Sequence, residues 1–312
     1  MKNAAIVRII SWSIVAIILI GVLVAGITGK LPFFFFNIGT SVHYENSSKY
    51  SIADGTINAG QVSNIEINWV DGGVHVEEYE GEDVIFAETS SRSLDEDSKM
   101  RYYIRDDKLT IQFCASRRAL PSLHHLSKDL TLKVPYGHSL AKLDMESVSA
   151  RVEVLGTSAD KIEVESVSGS VRILDTTAHE LDVEAVSGDL MIENAQTHKL
   201  SAESVSGSIQ VQGDFNNVEF STVSGSVAVT PGKDISFLDA DTVSGDIEIK
   251  LPEDIDGFRV TYSALSGDLR CDFPGQTNKK TLTYQNGRAD FNLETVSGKI
   301  SIEQLPMAGV EI

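Results

Sequence analysis

The sequence predicts an all-β chain, a single-stranded parallel β-solenoid of about ten coils preceded by one N-terminal transmembrane helix. Three observations predict it. The tripeptide Val-Ser-Gly begins at Val167, Val186, Val205, Val223, Val243 and Val296, with near-copies at Val148-Ser149-Ala150 and Leu265-Ser266-Gly267. The eight starts step by 19, 19, 19, 18, 20, 22 and 31 residues, and a fixed period of this length marks a repeat architecture. Finally, residues 9–27 form an unbroken uncharged run, whose length as a helix matches a ~30 Å hydrocarbon core.

The N-terminal run is rich in Ile, Val, Leu and Ala. Lys2 and Arg8 precede it and no acid does. The positive-inside rule then keeps residues 1–8 in the cytoplasm, sets the membrane helix at 9–28 and sends the rest outside the cell membrane. A cleaved signal peptide is the alternative, although no clean small-x-small site follows the run. Residues 29–56 read as a juxtamembrane linker, in which Pro32 and Phe33 to Phe36 suit the outer membrane interface.

Residues 57–136 read as an irregular, capping start of the solenoid. Ile65 to Val76 has the strand–turn–strand grammar of the repeats, with Val70-Asp71-Gly72 in place of Val-Ser-Gly. Strands are expected at 84–87, 101–104, 109–113 and 130–134. A separate small β domain over 57–136 is the alternative. The basic stretch 115–128, with Arg117, Arg118 and the pair His124-His125, reads as an inserted surface loop.

Regular coils are expected over 137–312. In Leu181 to Val186 apolar and acidic residues alternate, Ser187-Gly188 turns the chain, and Asp189 to Glu193 alternates again. Each repeat thus holds two half-buried strands, and stacking keeps equivalent residues in columns. One apolar column runs Leu143, Ile162, Leu181, Leu200, Val218, Leu238, Val260, Phe291. Two more run from Val152 to Ile300 and from Val154 through Cys271 to Ile302. Cys271 is therefore expected as a buried small hydrophobe. The residue before each Val-Ser pair is small, fitting a narrow corner. The turn glycines Gly169, Gly188, Gly207, Gly225, Gly245, Gly267 and Gly298 are expected in a backbone conformation closed to other residues. Asn286-Gly287 is expected to turn a hairpin.

These iterated units, with the Trp69-Val-Asp-Gly start, resemble the bacterial DUF4097 family of adhesin-like β-strand-repeat proteins over roughly residues 60–305. The family is similar to the β-solenoid domain of envelope-stress membrane proteins. The resemblance implies a membrane-tethered, extracytoplasmic β-solenoid, with no catalytic residues and no cofactor to carry over.

The chain carries 45 acids against 26 bases, a net charge of −19, and all of the excess lies beyond residue 30. Such a surface repels nucleic acid. Two cysteines exclude a disulfide scaffold. Outward positions hold a row of acids, Glu146, Glu165, Glu184, Glu203, Asp241 and Glu294, interrupted by Ser221 and Ser263. A second row beside it includes Asp144, Glu163, Asp182, Glu219 and Asp239. Stacked ~4.8 Å apart, these carboxylates form a ladder for a divalent cation or a cationic ligand, or else a solvated face that keeps the protein soluble. No Asp-x-Asp-x-Asp-Gly loop, Gly-x-Ser-x-Gly elbow or P-loop occurs. The expected function is a non-enzymatic binding or sensing module at the cell envelope, passing its state to an envelope-stress membrane protein. A surface adhesin or structural rod is the alternative, and a carbohydrate-active β-helix a more distant one.

Overall fold

The computed structural model describes residues 44, 46–116 and 126–305. The expected membrane helix, Phe33 to Phe36 and His124-His125 lie outside the described residues. Among the described residues no helix is long and apolar enough to cross a membrane. The fold is all-β, and the described residues fall into two compact units, 44–182 and 183–305.

In the first unit the chain lays down β1 (Gly55–Asn58), β2 (Asn64–Trp69), β3 (Gly72–Tyr79), β4 (Asp83–Ser90), β5 (Arg101–Arg105), β6 (Lys108–Gln112), β7 (Lys128–Pro135), β8 (Leu140–Ser147), β9 (Arg151–Leu155), β10 (Ser158–Ser166) and β11 (Val171–Leu174). The strands form two ladders. In one, β2 lies parallel between β6 and β8, β8 continues parallel to β10, and β5 closes the edge antiparallel to β6. In the other, β3 lies parallel between β7 and β9, β9 continues to β11, and β4 then β1 close the edge antiparallel. A coil here is one strand from each ladder joined by a corner. The register is residue for residue, with Ile162 on Leu143 and Val171 on Val152. All four are buried, which is the apolar stacking that the period of 19 requires.

β2 and β3 each pair on one side with β8 or β9. One expectation changes here: coil order departs from sequence order, since the later coil β6–β7 fills the place between β2–β3 and the capping strands β4 and β5.

The cap is held by Lys128, which is fully buried. Its Nζ donates to Glu88 Oε2 (2.5 Å), to the Ser98 carbonyl (2.7 Å) and to the Phe113 carbonyl. It lies 4.4 Å from the Phe113 ring centroid and 5.1 Å from that of Trp69, whose indole N–H donates to the Lys128 carbonyl at 2.9 Å. Burial lowers the Lys128 pKa, against the Glu88 carboxylate, which raises it. Paired and solvated by carbonyls, the cation is tolerable in the interior.

After β12 (Thr177–Ala185), the second unit holds β13 (Leu190–Ser204), β14 (Ile209–Thr222), β15 (Val227–Pro231), β16 (Phe237–Ser244), β17 (Ile247–Pro252), β18 (Gly257–Ser266), β19 (Leu269–Cys271), β20 (Gln276–Asn278), β21 (Thr281–Gln285), β22 (Ala289–Ser297) and β23 (Ile300–Leu305). β13, β14 and β16 stack parallel through 200–242, as do β14, β15 and β17 on the opposite ladder. The inward positions interlock by size, with Phe220 between Ala202 and Ala240.

Sequence order breaks again at the C-terminal end. β22 lies parallel between β16 and β18, and β23 between β17 and β19. Phe291 therefore stands between Leu238 and Val260, not after them as the column reading expects. β18–β19 becomes the outermost coil, covered on one ladder by the antiparallel strands β21 and β20. Cys271, on that outer coil, is half-buried and not sealed in the core. Burial raises its thiol pKa. Asn286-Gly287 does not close a hairpin of paired strands: β21 and β22 lie on opposite sides of β18, and the turn carries the chain across its end.

The turn glycines have a different cause from the expected one. Of the seven, only Gly267 has a left-handed φ, at 143°. A Cβ on Gly169, Gly207, Gly225, Gly245 or Gly298 would stand 1.8–2.0 Å from the carbonyl oxygen of the stacked corner, for example that of Gly188 beneath Gly207. Close approach of stacked backbones requires glycine there. The small residue before each Val-Ser pair also does more than fit. Ser166 Oγ accepts from the Gly169 N–H and donates to its carbonyl, both at 3.0 Å, and Thr242 and Thr295 donate to the carbonyls of Gly225 and Gly245. The buried corner is thereby supplied with partners.

Candidate functional site

Alternation places every second residue of β8, β10, β14, β16 and β22 outward, and these positions hold the acids. Register brings Glu146 beside Glu165, and Asp144 beside Glu163. Farther along, Ser221 separates Glu203 from Asp241, and Glu294 lies beside Asp241. Glu184 and Glu203 are exposed. The expected row thus exists, but as short runs of different character.

The first run is laced with lysine. Lys142 and Lys161 are registered neighbours, two residues before the acids of the second row. Lys142 Nζ lies 2.7 Å from Asp144 and 2.6 Å from Glu163. Lys161 Nζ lies 2.8 Å from Asp182 and 3.8 Å from Glu163. Partial burial would lower the Lys142 pKa, but hydrogen bonds to Asp144 and Glu163 outweigh it and raise it well above the lysine range. The Lys161 pKa is raised chiefly by its bond to Asp182. Upstream, Lys108 pairs with Glu66 in the same way.

In the second run the lysine column is occupied by Asn217, Phe237, Asp290 and Arg259, in register with one another, and Arg259 pairs with Asp290 at 3.6 Å, not with the acids of the two rows. No ion pair among the described residues involves Glu219, Asp239, Asp241 or Glu294. Lys280, the nearby cation, donates instead to Ser263 Oγ at 3.1 Å. Asp241 Oδ1 is buried with no hydrogen-bond partner among the described residues. Burial first, then the charges of Asp239 and Glu294, push the Asp241 pKa up to about 7. Asp239 is raised by burial and by Glu219 and Glu294. Desolvation and like charge act in the same direction here.

Among the described residues no three His, Cys, Asp or Glu side chains are arranged to hold a metal ion. His75 faces outward, its Nδ1 2.9 Å from Glu153 Oε2. Sequence reading found the acids but missed the lysines as their counter-ions, although a Lys two residues before an Asp or Glu at the repeat period was a visible signal. It also missed the buried Lys128–Glu88 pair, since the two residues lie 40 positions apart.

Parallel coils of Val-Ser-Gly units around a shared core define an all-β repeat protein. The chain belongs to the Toastrack DUF4097 family, whose model matches residues 62–303. No curated protein matches the chain. It is similar to the solved structure of a "putative adhesin" from Bacteroides fragilis, with 14% identity, coverage of 82% of this chain and 97% of that one, and a TM-score of 0.46. It is also similar to a protein given the same description from Parabacteroides merdae, with 12% identity, 85% and 99% coverage and a TM-score of 0.43. A third is a "putative lipid binding protein" from Parabacteroides distasonis, with 13% identity, 81% and 96% coverage and a TM-score of 0.42.

Proposed function

We propose that the chain is a non-enzymatic binding module, held outside the cell membrane by the segment at 9–28, with its outward acidic face as the recognition surface for a cationic ligand. The observation that carries this reading is the contrast within that face. In one run, Lys142 and Lys161 pair with Asp144, Glu163 and Asp182. The other, around Asp239, Asp241 and Glu294, keeps uncompensated carboxyls in a partly buried setting. A cation placed there relieves repulsion in the folded state only, so it stabilises the fold by linkage. Membership of a family defined by this repeat is consistent with a module whose outer columns carry recognition. The membrane segment and signalling to an envelope-stress membrane partner are part of the proposal.

The test is thermal unfolding of the full chain in detergent. Millimolar calcium or a polylysine peptide raises the melting temperature, and sodium at matched ionic strength raises it less, because screening alone is non-specific. Asp239→Asn/Asp241→Asn removes the difference, whereas Glu146→Gln/Glu165→Gln leaves it. Equal action of calcium, polylysine and sodium on the natural chain refutes a cation-binding face.

A further inference from the structure

The outer face carries another concavity, at the opposite end of the sequence from the acidic run. Tyr44, Asn46 and Tyr50, with strands β5, β6, β2 and β8, enclose a groove of about 560 Å³. One wall is aromatic, with the half-buried rings of Tyr50 and Tyr103 5.4 Å apart and tilted by 40°. The floor is amide and hydroxyl, from Gln112, Thr110 and Asn68.

Two features say what the groove takes. Gln112 is only 4% exposed, and its side-chain Oε1 is buried with no hydrogen-bond partner among the described residues. An unmade hydrogen bond of this kind is costly, and a donor entering the groove removes that cost. Its registered neighbour Asn68 is fixed by donating to Glu66 Oε1 at 2.9 Å. The second feature is charge. The ionic groups at the rim are engaged with one another, Lys108 with Glu66 and Arg105 with Asp106, and Asp107 accepts from the Asn64 amide at 3.1 Å. Lys49 Nζ lies 6.0 Å from the Tyr103 ring centroid, and the cations that line the groove itself, Lys108 and Arg105, are engaged with acids. An aromatic wall and a buried acceptor, in a groove whose lining cations are engaged, match a ring with apolar C–H faces and hydroxyl edges.

We propose that this groove is a saccharide subsite, in which an uncharged sugar ring packs on the Tyr50–Tyr103 wall and one of its hydroxyls donates to Gln112 Oε1. The inference rests on the binding-module reading and supplies it with a second ligand class, at residues remote in sequence from the acidic run.

The experiment is calorimetric titration of the full chain, in a detergent without a sugar headgroup, with cellohexaose, maltohexaose and chitohexaose, and with hexagalacturonate as the anionic comparison. At least one neutral hexasaccharide binds, and hexagalacturonate does not. Tyr103→Ala weakens binding at least about tenfold, the loss expected of an aromatic anchor. Tyr103→Phe, which keeps the ring, binds like the natural chain, and Gln112→Leu weakens binding with an unchanged melting temperature. Absence of binding by all three neutral probes overturns the proposal, as does tighter binding of hexagalacturonate. Binding that is indifferent to Tyr103→Ala and Gln112→Leu also overturns it, placing the sugar elsewhere while leaving the binding-module reading intact. The calcium response at 239–294 is unaffected by any of these results, so failure here is distinguishable from failure there.

Discussion

The runs 140–182 and 217–297 carry the same outward acidic pattern on the same kind of parallel ladder, and their electrostatics are opposite. In the first, Lys142 and Lys161 bridge acids of successive coils. In the second, the equivalent column holds Asn217, Phe237, Asp290 and Arg259, the last pairing with Asp290, and the carboxyls of Asp239 and Asp241 resist ionisation. The difference teaches that a repeat fixes where side chains point but not what a face does. One column of substitutions, two residues away from the acids, separates a lysine-paired surface from one whose carboxyls resist ionisation.

The largest expected effect tests whether the two runs share a backbone. Gly169→Ala and Gly225→Ala each place a Cβ within 2.0 Å of a stacked carbonyl oxygen. Each is expected to lose at least ~2 kcal/mol in denaturant unfolding, as overpacking does when no flexible neighbour can yield. Similar losses show that the runs differ in charge alone, whereas a clearly smaller loss at Gly225 means that the second run is looser and part of the contrast is one of packing.

Next in size is the pH response of the second run. Folded Asp241 holds its proton to about pH 7, whereas an unfolded aspartate releases it near ~3.9. The folded state therefore binds more protons between these values, and the contribution of Asp241 to stability falls as pH rises from about 4 to about 7. Asp241→Asn is expected to stabilise the chain by roughly 1 kcal/mol or more at pH 8 and to change little at pH 5. Equal effects at the two pH values break the comparison.

Phe237→Lys restores the missing counter-ion. The new ammonium lies two residues before Asp239, as Lys142 does before Asp144, and is expected to lower the Asp239 pKa and to shrink the calcium-dependent rise in melting temperature. Lys161→Met makes the reverse change in the first run. It is expected to cost only about 0.5–1 kcal/mol, and less in high salt, as exposed ion pairs do.

The interior was the more legible part of the fold. Val152, Val171 and Ile209 announce inward columns because burial demands the same apolar character in every coil, and period and alternation survive in a single sequence. The coil order at both ends was not legible. Phe291 and Val260 are equally good neighbours for Leu238, and only the antiparallel caps β4–β5 and β20–β21 decide which coil is inserted last. The glycines were legible as positions and misread as to cause, since a requirement for close approach and one for left-handed φ leave the same letter. Of the candidate site, the acids were visible. Their pairing was not, because it depends on residues one coil away, and neither was the tyrosine groove, whose walls come from Tyr44, Asn46, Tyr50, Tyr103 and Gln112.

The claim on which the comparison turns is that the second run is short of positive charge. Titration of the Asp241 side-chain carboxyl by carbon-detected NMR tests it most directly. The account predicts a midpoint near 7, shifted down in Asp239→Asn and in Glu294→Gln, and shifted down again by millimolar calcium. A midpoint in the ordinary aspartate range near ~4, indifferent to both substitutions, would contradict it.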